Sequence, residues 1–362
     1  MKIAEPTLVL NKDICLKNVE RMVAKAKYHN LTFRPHFKTH QSHQIGRWFR
    51  EYGVDKITVS SLKMAEYFAE DQWGDITVAF PANILEIDRI NQLAGKIQLN
   101  LIVESIEVAR LLQRKLQHTI GIFLTVDVGY HRTGIASNDY SKIDAILQFV
   151  DIADQLDFKG FLTHAGHSYS SKGIDEIRAV HESSLTALEA LRKNYVSKYP
   201  NLIISTGDTP TCSVMEDFTG VDEIRPGNFV FYDLTQLEIG ACREEDIAVA
   251  MACPVVAKHQ DRMELIIYGG GVHFSKDRLE VEGKTSFGKP VRLTEHSWEL
   301  AYHEVNYVSK LSQEHGTLKV EPEVFDEYQV GDLIGILPVH SCMTANLMKG
   351  YYLFDGSVFD RL

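Results

Sequence analysis

Gln98-Leu99-Asn100-Leu101-Ile102-Val103, followed at once by Glu104-Ser105-Ile106-Glu107-Val108-Ala109-Arg110-Leu111-Leu112-Gln113-Arg114-Lys115-Leu116-Gln117, is the stretch whose reading decides the fold. The first six residues form a short apolar run of strand length. In the next fourteen, Ile106, Val108, Ala109, Leu111, Leu112 and Leu116 recur with a period near 3.6, which predicts a helix. The same unit recurs along the chain. Further strand candidates are Thr32 to His36, Lys56 to Ser60, Ile76 to Phe80, Gly121 to Asp127, Lys159 to Thr163, Leu202 to Ser205 and Asp222 to Ile224, and Leu62 to Glu70 is a second clear helix. Eight strands alternating with helices in about 230 residues predict an α/β fold, a parallel (β/α)8 TIM-type barrel. An open doubly wound sheet is the alternative. It is disfavoured because the first strand leads into Arg34, His36, Lys38 and His40 rather than a glycine-rich turn.

After about Phe231 the pattern changes. Ile247 to Val256, Met263 to Tyr268, Thr317 to Val320 and Leu333 to Leu337 are short β-rich runs, punctuated by Gly269-Gly270-Gly271, Gly283-Lys284 and Gly331-Asp332. The barrel is therefore assigned to 7–240 and a C-terminal β-rich domain to 241–362. The run Pro6 to Leu10 could add an edge strand to either, so residues 1–10 could join the second domain.

Composition narrows the partners. The chain has 362 residues, 44% of them hydrophobic and 24% charged, which is the profile of a protein folded along its whole length. Its 38 basic and 49 acidic side chains give a net charge of −11, which disfavours nucleic acid and anionic membranes as partners. No run approaches a membrane span, and Met1-Lys2-Ile3-Ala4-Glu5-Pro6-Thr7 has no signal-peptide core after it, so a cytoplasmic location is expected. Five scattered cysteines make a disulfide framework unlikely in a chain this large.

In such a barrel the active site lies at the C-terminal ends of the strands. There the sequence places Arg34-Pro35-His36-Phe37-Lys38-Thr39-His40, Asp127-Val128-Gly129-Tyr130-His131-Arg132-Thr133-Gly134, His164-Ala165-Gly166-His167-Ser168-Tyr169, Ser205-Thr206-Gly207-Asp208-Thr209 and Arg225-Pro226-Gly227-Asn228. Glycines and small hydroxyls after strands seven and eight suit a phosphate, although each loop alone also reads as an ordinary tight turn. Lys38 would commonly be a solvated lysine. Flanked by Arg34, His36 and His40 it is instead placed to favour the neutral amine that a Schiff base with pyridoxal phosphate requires. Near the C-terminus, His340-x-Cys342 in an extended chain would put two donors suited to zinc on one face; a buried cysteine beside an unrelated histidine is the alternative.

These motifs, with Ser312-Gln313-Glu314-His315-Gly316 and Pro338-Val339-His340-Ser341-Cys342, resemble the fold-type III pyridoxal-phosphate enzymes, in particular the D-serine dehydratase and D-threonine aldolase group, nearly end to end. The resemblance implies an alanine racemase-like N-terminal barrel, Lys38 as the Schiff-base amine, and Arg132 and Tyr169 in contact with the cofactor and counted with Lys38 as catalytic. It implies Ser205, Gly207, Thr209, Gly227 and Asn228 around the phosphate. His36, His164 and Arg225 complete the expected cofactor set, and His340 and Cys342 the metal set. The resemblance also implies a homodimer. Cys342 stands where D-threonine aldolases have an aspartate and use a manganese-like cation, so zinc and a D-serine dehydratase-type lyase acting on a D-β-hydroxy amino acid are expected. Retro-aldol cleavage is the next reading, then racemisation, then a non-catalytic pyridoxal-phosphate carrier. A barrel metallohydrolase built on His36, Asp127, His164 and His167 is the remaining alternative.

Overall fold

The computed structural model of the chain describes residues 3–281 and 283–362. Two compact units divide it: Glu20–Gly227, and Met1–Val19 together with Asn228–Leu362. Residues 228–240, which strand spacing alone assigns to the barrel, cluster with the second unit.

Eight parallel strands build the first unit: β1 (Thr32–Phe33), β2 (Ile57–Val59), β3 (Asp75–Pro81), β4 (Gln98–Val103), β5 (Ile120–Asp127), β6 (Leu156–Leu162), β7 (Ile203–Thr206) and β8 (Glu223–Ile224). They lie in the order β1-β8-β7-β6-β5-β4-β3-β2. Closure comes just beyond β1, where His36 bridges Thr58 of β2. The Phe37 N–H donates to the Thr58 carbonyl at 2.8 Å and the Thr58 N–H to the Pro35 carbonyl at 2.9 Å. An open sheet is thereby excluded. The expected first strand, Thr32 to His36, is cut to two residues because Pro35 has no N–H for the ladder. The chain nevertheless stays extended along β8, with Arg34 N–H bonded to Ile224 O and His36 N–H to Pro226 O.

The connections show why these sequences turn from strand to helix. Ser61 and Ser105 cap the helices Leu62–Glu70 and Ile106–Lys115, each hydroxyl accepting a first-turn N–H, from Met64 and Val108. The second helix buries Ala109 and Leu112, while Leu111 stays partly exposed and Leu116 ends it.

The barrel interior is partly polar. Arg34 lies between two carboxylates, with Nη1 2.6 Å from Asp75 Oδ1 and Nε 2.6 Å from Glu223 Oε2. Ser205 Oγ donates to Glu223 Oε1 at 2.5 Å and accepts from Arg225 Nε at 2.7 Å. Arg225 then donates to the Thr163 carbonyl, and Asn100 Nδ2 to Asp75 Oδ1 at 3.0 Å. Burial opposes the charge on Arg34, but Glu223 and Asp75 outweigh it and raise its pKa.

In the second unit, Thr7–Leu10 lies between two strands rather than at an edge, antiparallel to Val249–His259 and parallel to Gly350–Leu353. Leu333–Pro338 pairs with the other side of Val249–His259 and with Gly288–Leu293. Glu264–Tyr268 and His315–Lys319 extend the ten-stranded sheet. All five cysteines are free thiols, and no helix among the described residues is long and apolar enough to cross a membrane.

The buried chain of charges sets the first expectation. Glu223→Ala leaves Arg34 with one of its two carboxylates and removes the acceptor of Ser205, and should cost about 3–5 kcal/mol, the usual penalty for breaking a buried ion pair. Urea unfolding measures it, and a loss near zero would mean that the pair contributes nothing to barrel stability.

Candidate active site

The turn after β1 presents His36 and Lys38 at the C-terminal end of the barrel. The Lys38 N–H donates to His36 Nδ1 at 3.4 Å, and Gln41 Nε2 donates to the Lys38 carbonyl at 3.0 Å. His164, just past β6, lies 3.3 Å through Nδ1 from the carbonyl of Gly207, just past β7. A carbonyl only accepts, so Nδ1 carries the proton and Nε2 is left as an acceptor.

Five of the residues expected to bind the cofactor are brought together. Burial first, and then the charges of Lys38, Arg132 and Arg225, hold the His164 imidazole down to about 3. Burial, Lys38, Arg225, His164 and Arg132 likewise hold His36 well below its ordinary value. Two neutral imidazoles among three cations form a site short of negative charge, which fits a cofactor carrying a phosphate. The glycines fit it too. A Cβ on Gly207, whose φ is +138°, would stand 2.5 Å from the Arg225 backbone nitrogen, and one on Gly227 would stand 2.8 Å from the His36 carbonyl. Only glycine lets these loops approach so closely, as backbone cradling of an anion requires.

Tyr169 and Thr209 meet directly, the Thr209 N–H donating to the Tyr169 hydroxyl at 3.1 Å. Tyr169 also faces the His164 ring, with centroids 6.1 Å apart. Ser205 differs from its neighbours: its hydroxyl is taken up by Glu223 and Arg225, so it holds the arginine in place. Asp208 lies outside the set of site residues the sequence predicts. It is buried, caps the helix Thr209–Val214 by accepting the Thr211 N–H, and accepts from the Ser168 and Thr211 hydroxyls at 2.6 and 2.9 Å. An aspartate just before Thr-Pro is a helix-start signal that could have found it.

The second unit holds the candidate metal donors. His340-x-Cys342 does not lie in extended chain: Leu333–Pro338 ends before it, and Cys342 is in the first turn of the helix Ser341–Leu347. The cause is Asp233, whose Oδ2 accepts the Ser341 N–H at 3.0 Å and so starts the helix. The two side chains still meet. Burial opposes protonation of His340, but hydrogen bonds to Asp277 and Cys342 outweigh it and raise its pKa, so a metal bound there would displace the ring proton. One imidazole and one thiol suit zinc, and two donors leave coordination positions open. Among the described residues no three histidine, cysteine or acidic side chains are grouped to hold an ion, so His36, Asp127, His164 and His167 do not form a metallohydrolase centre. Asn228 was expected at the phosphate. Its amide nitrogen instead donates to Asp233 Oδ2 at 2.7 Å and lies 3.1 Å from Ser341 Oγ and 3.5 Å from Cys342 Sγ, while its buried Oδ1 has no hydrogen-bond partner.

Comparison with known proteins agrees with this geometry. Residues 11–234 match the model of the alanine racemase N-terminal domain, and 248–354 that of a putative serine dehydratase domain. The chain is 28% identical to a D-serine dehydratase of Dictyostelium discoideum, covering 97% of this chain and 93% of that one. It superposes on the D-threo-3-hydroxyaspartate dehydratase of Delftia sp. HT23 with a TM-score of 0.91 and 27% identity, over 100% of this chain and 98% of the other. A D-threonine aldolase from Filomicrobium marinum shares the fold, with a TM-score of 0.84 and 20% identity over 98% and 94%. The chain belongs to the alanine racemase N-terminal domain family of fold-type III pyridoxal-phosphate enzymes, and within it to the D-serine dehydratase and D-threonine aldolase group.

The depressed imidazoles predict a pH dependence. His164 titrates near 3 when folded and near 6.5 when unfolded, so its contribution to stability is complete above 6.5 and is lost as pH falls towards 3. In that window, without added cofactor, His164→Gln should flatten the fall in urea-unfolding free energy by about 1.4 kcal/mol per pH unit. An unchanged slope would mean that the imidazole is not held neutral.

Proposed function

We propose that the protein is a pyridoxal-phosphate- and zinc-dependent lyase that removes water from a D-β-hydroxy amino acid. D-serine, giving pyruvate and ammonia, or a close 3-hydroxy-D-amino acid is the substrate. The observation that carries this is the convergence of Lys38, Arg132 and Arg225 on the neutral pair His36 and His164 at the strand ends. Cys342 beside His340 supports the dehydrating outcome.

Pyridoxal phosphate, when bound, supplies the electron sink that lets a bond to Cα break. Lys38 would hold it through Nζ, with Gly207, Thr209 and Gly227 around its phosphate and His36, His164, Arg132, Tyr169 and Arg225 about the rest. His340 and Cys342 would hold zinc, which would supply a Lewis acid for an oxygen leaving group. Lys38 Nζ is the base that takes the Cα proton. The buried arginine and the neutral imidazoles keep the pocket cationic without an acidic proton donor, so a substrate carboxylate enters a field that attracts it. Loss of Cα–H and Cβ–O releases water, and hydrolysis of the enamine product yields the 2-oxo acid and ammonia. We further propose that the chain works as a homodimer in the cytoplasm.

The second reading is retro-aldol cleavage to glycine and an aldehyde, favoured by the fold shared with the D-threonine aldolase. A paired product assay separates the two. Zinc-loaded protein with pyridoxal phosphate is offered D-serine, D-threonine and D-threo-3-hydroxyaspartate, and 2-oxo acid and glycine are both quantified. Oxo acid without glycine, abolished by Lys38→Ala and strongly reduced by Cys342→Ala, is expected. Glycine with aldehyde establishes the aldolase instead, and neither product from any substrate overturns both.

A further inference from the structure

Arg132 reaches the site from the loop after β5, and its side chain is exposed to solvent. A long, solvated arginine is useful to a reaction only if its backbone is held still, because each extra rotamer it samples removes time spent near the ligand. The loop that carries it is held from both ends by carboxylates.

Asp127, the last residue of β5, accepts two backbone N–H groups through one oxygen: Gly129 at 2.9 Å and His131 at 3.0 Å. Its other oxygen lies 2.8 Å from His131 Nδ1. Burial opposes the charge, but these hydrogen bonds prevail and hold the carboxyl below its usual range. The arrangement keeps His131 at a φ of +56°, a conformation that residues other than glycine seldom adopt and that persists where surroundings enforce it. At the far end the Gly134 N–H donates to Glu104 Oε2, on the residue after β4. Gly134 itself packs so closely that a Cβ there would meet the Asp127 nitrogen at 2.8 Å. Between these anchors the Arg132 guanidinium lies 5.1 Å above the Tyr130 ring, which stacks on His167 at 6.2 Å and meets His164 edge-on at 6.0 Å.

We propose that Asp127 and Glu104 are positioning residues for Arg132: two carboxylates on neighbouring barrel strands fix the loop and thereby place the guanidinium where it meets the acidic groups of substrate and cofactor. The inference rests on the reading of this site as a pyridoxal-phosphate site. Neither carboxylate needs to touch a ligand. Their effect passes through one side chain, which makes it separable from a general contribution to stability.

The test is a double-mutant cycle on the holoenzyme with D-serine and D-threo-3-hydroxyaspartate as substrates. Asp127→Ala should lower kcat/KM by about 10- to 100-fold, the scale of a displacement near 1 Å at a reacting centre. Asp127→Asn, whose side-chain oxygen can still accept both N–H groups, should recover most of that loss. The combined Asp127→Ala/Arg132→Ala variant should be no slower than Arg132→Ala alone. Where Asp127→Ala does not fold, Glu104→Gln and Glu104→Ala with Arg132→Ala make the same cycle from the other anchor. Losses that multiply in the double variant, or an Asp127→Ala enzyme with unchanged kcat and KM, overturn the positioning role while leaving the cofactor site standing. A wild-type protein that shows no visible absorption on adding pyridoxal phosphate and converts neither substrate overturns the cofactor site, and this inference with it.

Discussion

A guanidinium buried inside the barrel is the constraint from which the rest follows. Arg34 must have its charge matched, and Glu223 and Asp75 match it from β8 and β3. Glu223 in turn fixes Ser205, and Ser205 fixes Arg225, so a chain of hydrogen bonds runs from the first residue of β3 to the residue just past β8. Such networks specify one register, because a slip of one residue would turn Glu223 out of the interior, away from both Arg34 and Ser205. The bridge between His36 and Thr58 that closes the sheet depends on the same register. Barrel closure and the placing of His36 beside Arg225 are thus one event.

That coupling gives the site its electrostatic character. The carboxylates are spent on Arg34 and Ser205, while Lys38 and Arg132 act on His36 and His164 as cations. The imidazoles stay neutral and serve as hydrogen-bonding groups rather than as acids. Such a pocket attracts anions without offering a proton to them, which suits chemistry that begins by taking a proton from carbon.

Most of the barrel was legible because its signals are local. Gln98–Val103 is the strand the sequence predicts, and Ser105 marks where its helix begins. The loops after strands one, five, six, seven and eight did bring His36, Lys38, Arg132, His164 and Arg225 to one place. What was not legible depends on partners far along the chain. His340-x-Cys342 has the spacing of an extended strand, and only the Asp233 carboxylate, more than a hundred residues earlier, turns it into a helix start. The hydroxyl of Ser205 looked available for phosphate, yet the pairing of β7 with β8 sets it between Glu223 and Arg225. Thr7–Leu10 shows the same limit: an apolar run of four residues carries no mark of whether it will sit at an edge or between two strands.

The place of Thr7–Leu10 also orders events during synthesis. Its neighbours in the sheet are Val249–His259 and Gly350–Leu353, so this first strand emerges from the ribosome some 240 residues before either partner exists. At 5–20 residues per second that is a wait of roughly 10–50 s. The barrel, Glu20–Gly227, is an insertion completed within that interval, and its contacts are all available to it by then. The β unit is completed only after the barrel residues have emerged, and its apolar first strand must stay unpaired and unaggregated until Val249–His259 arrives.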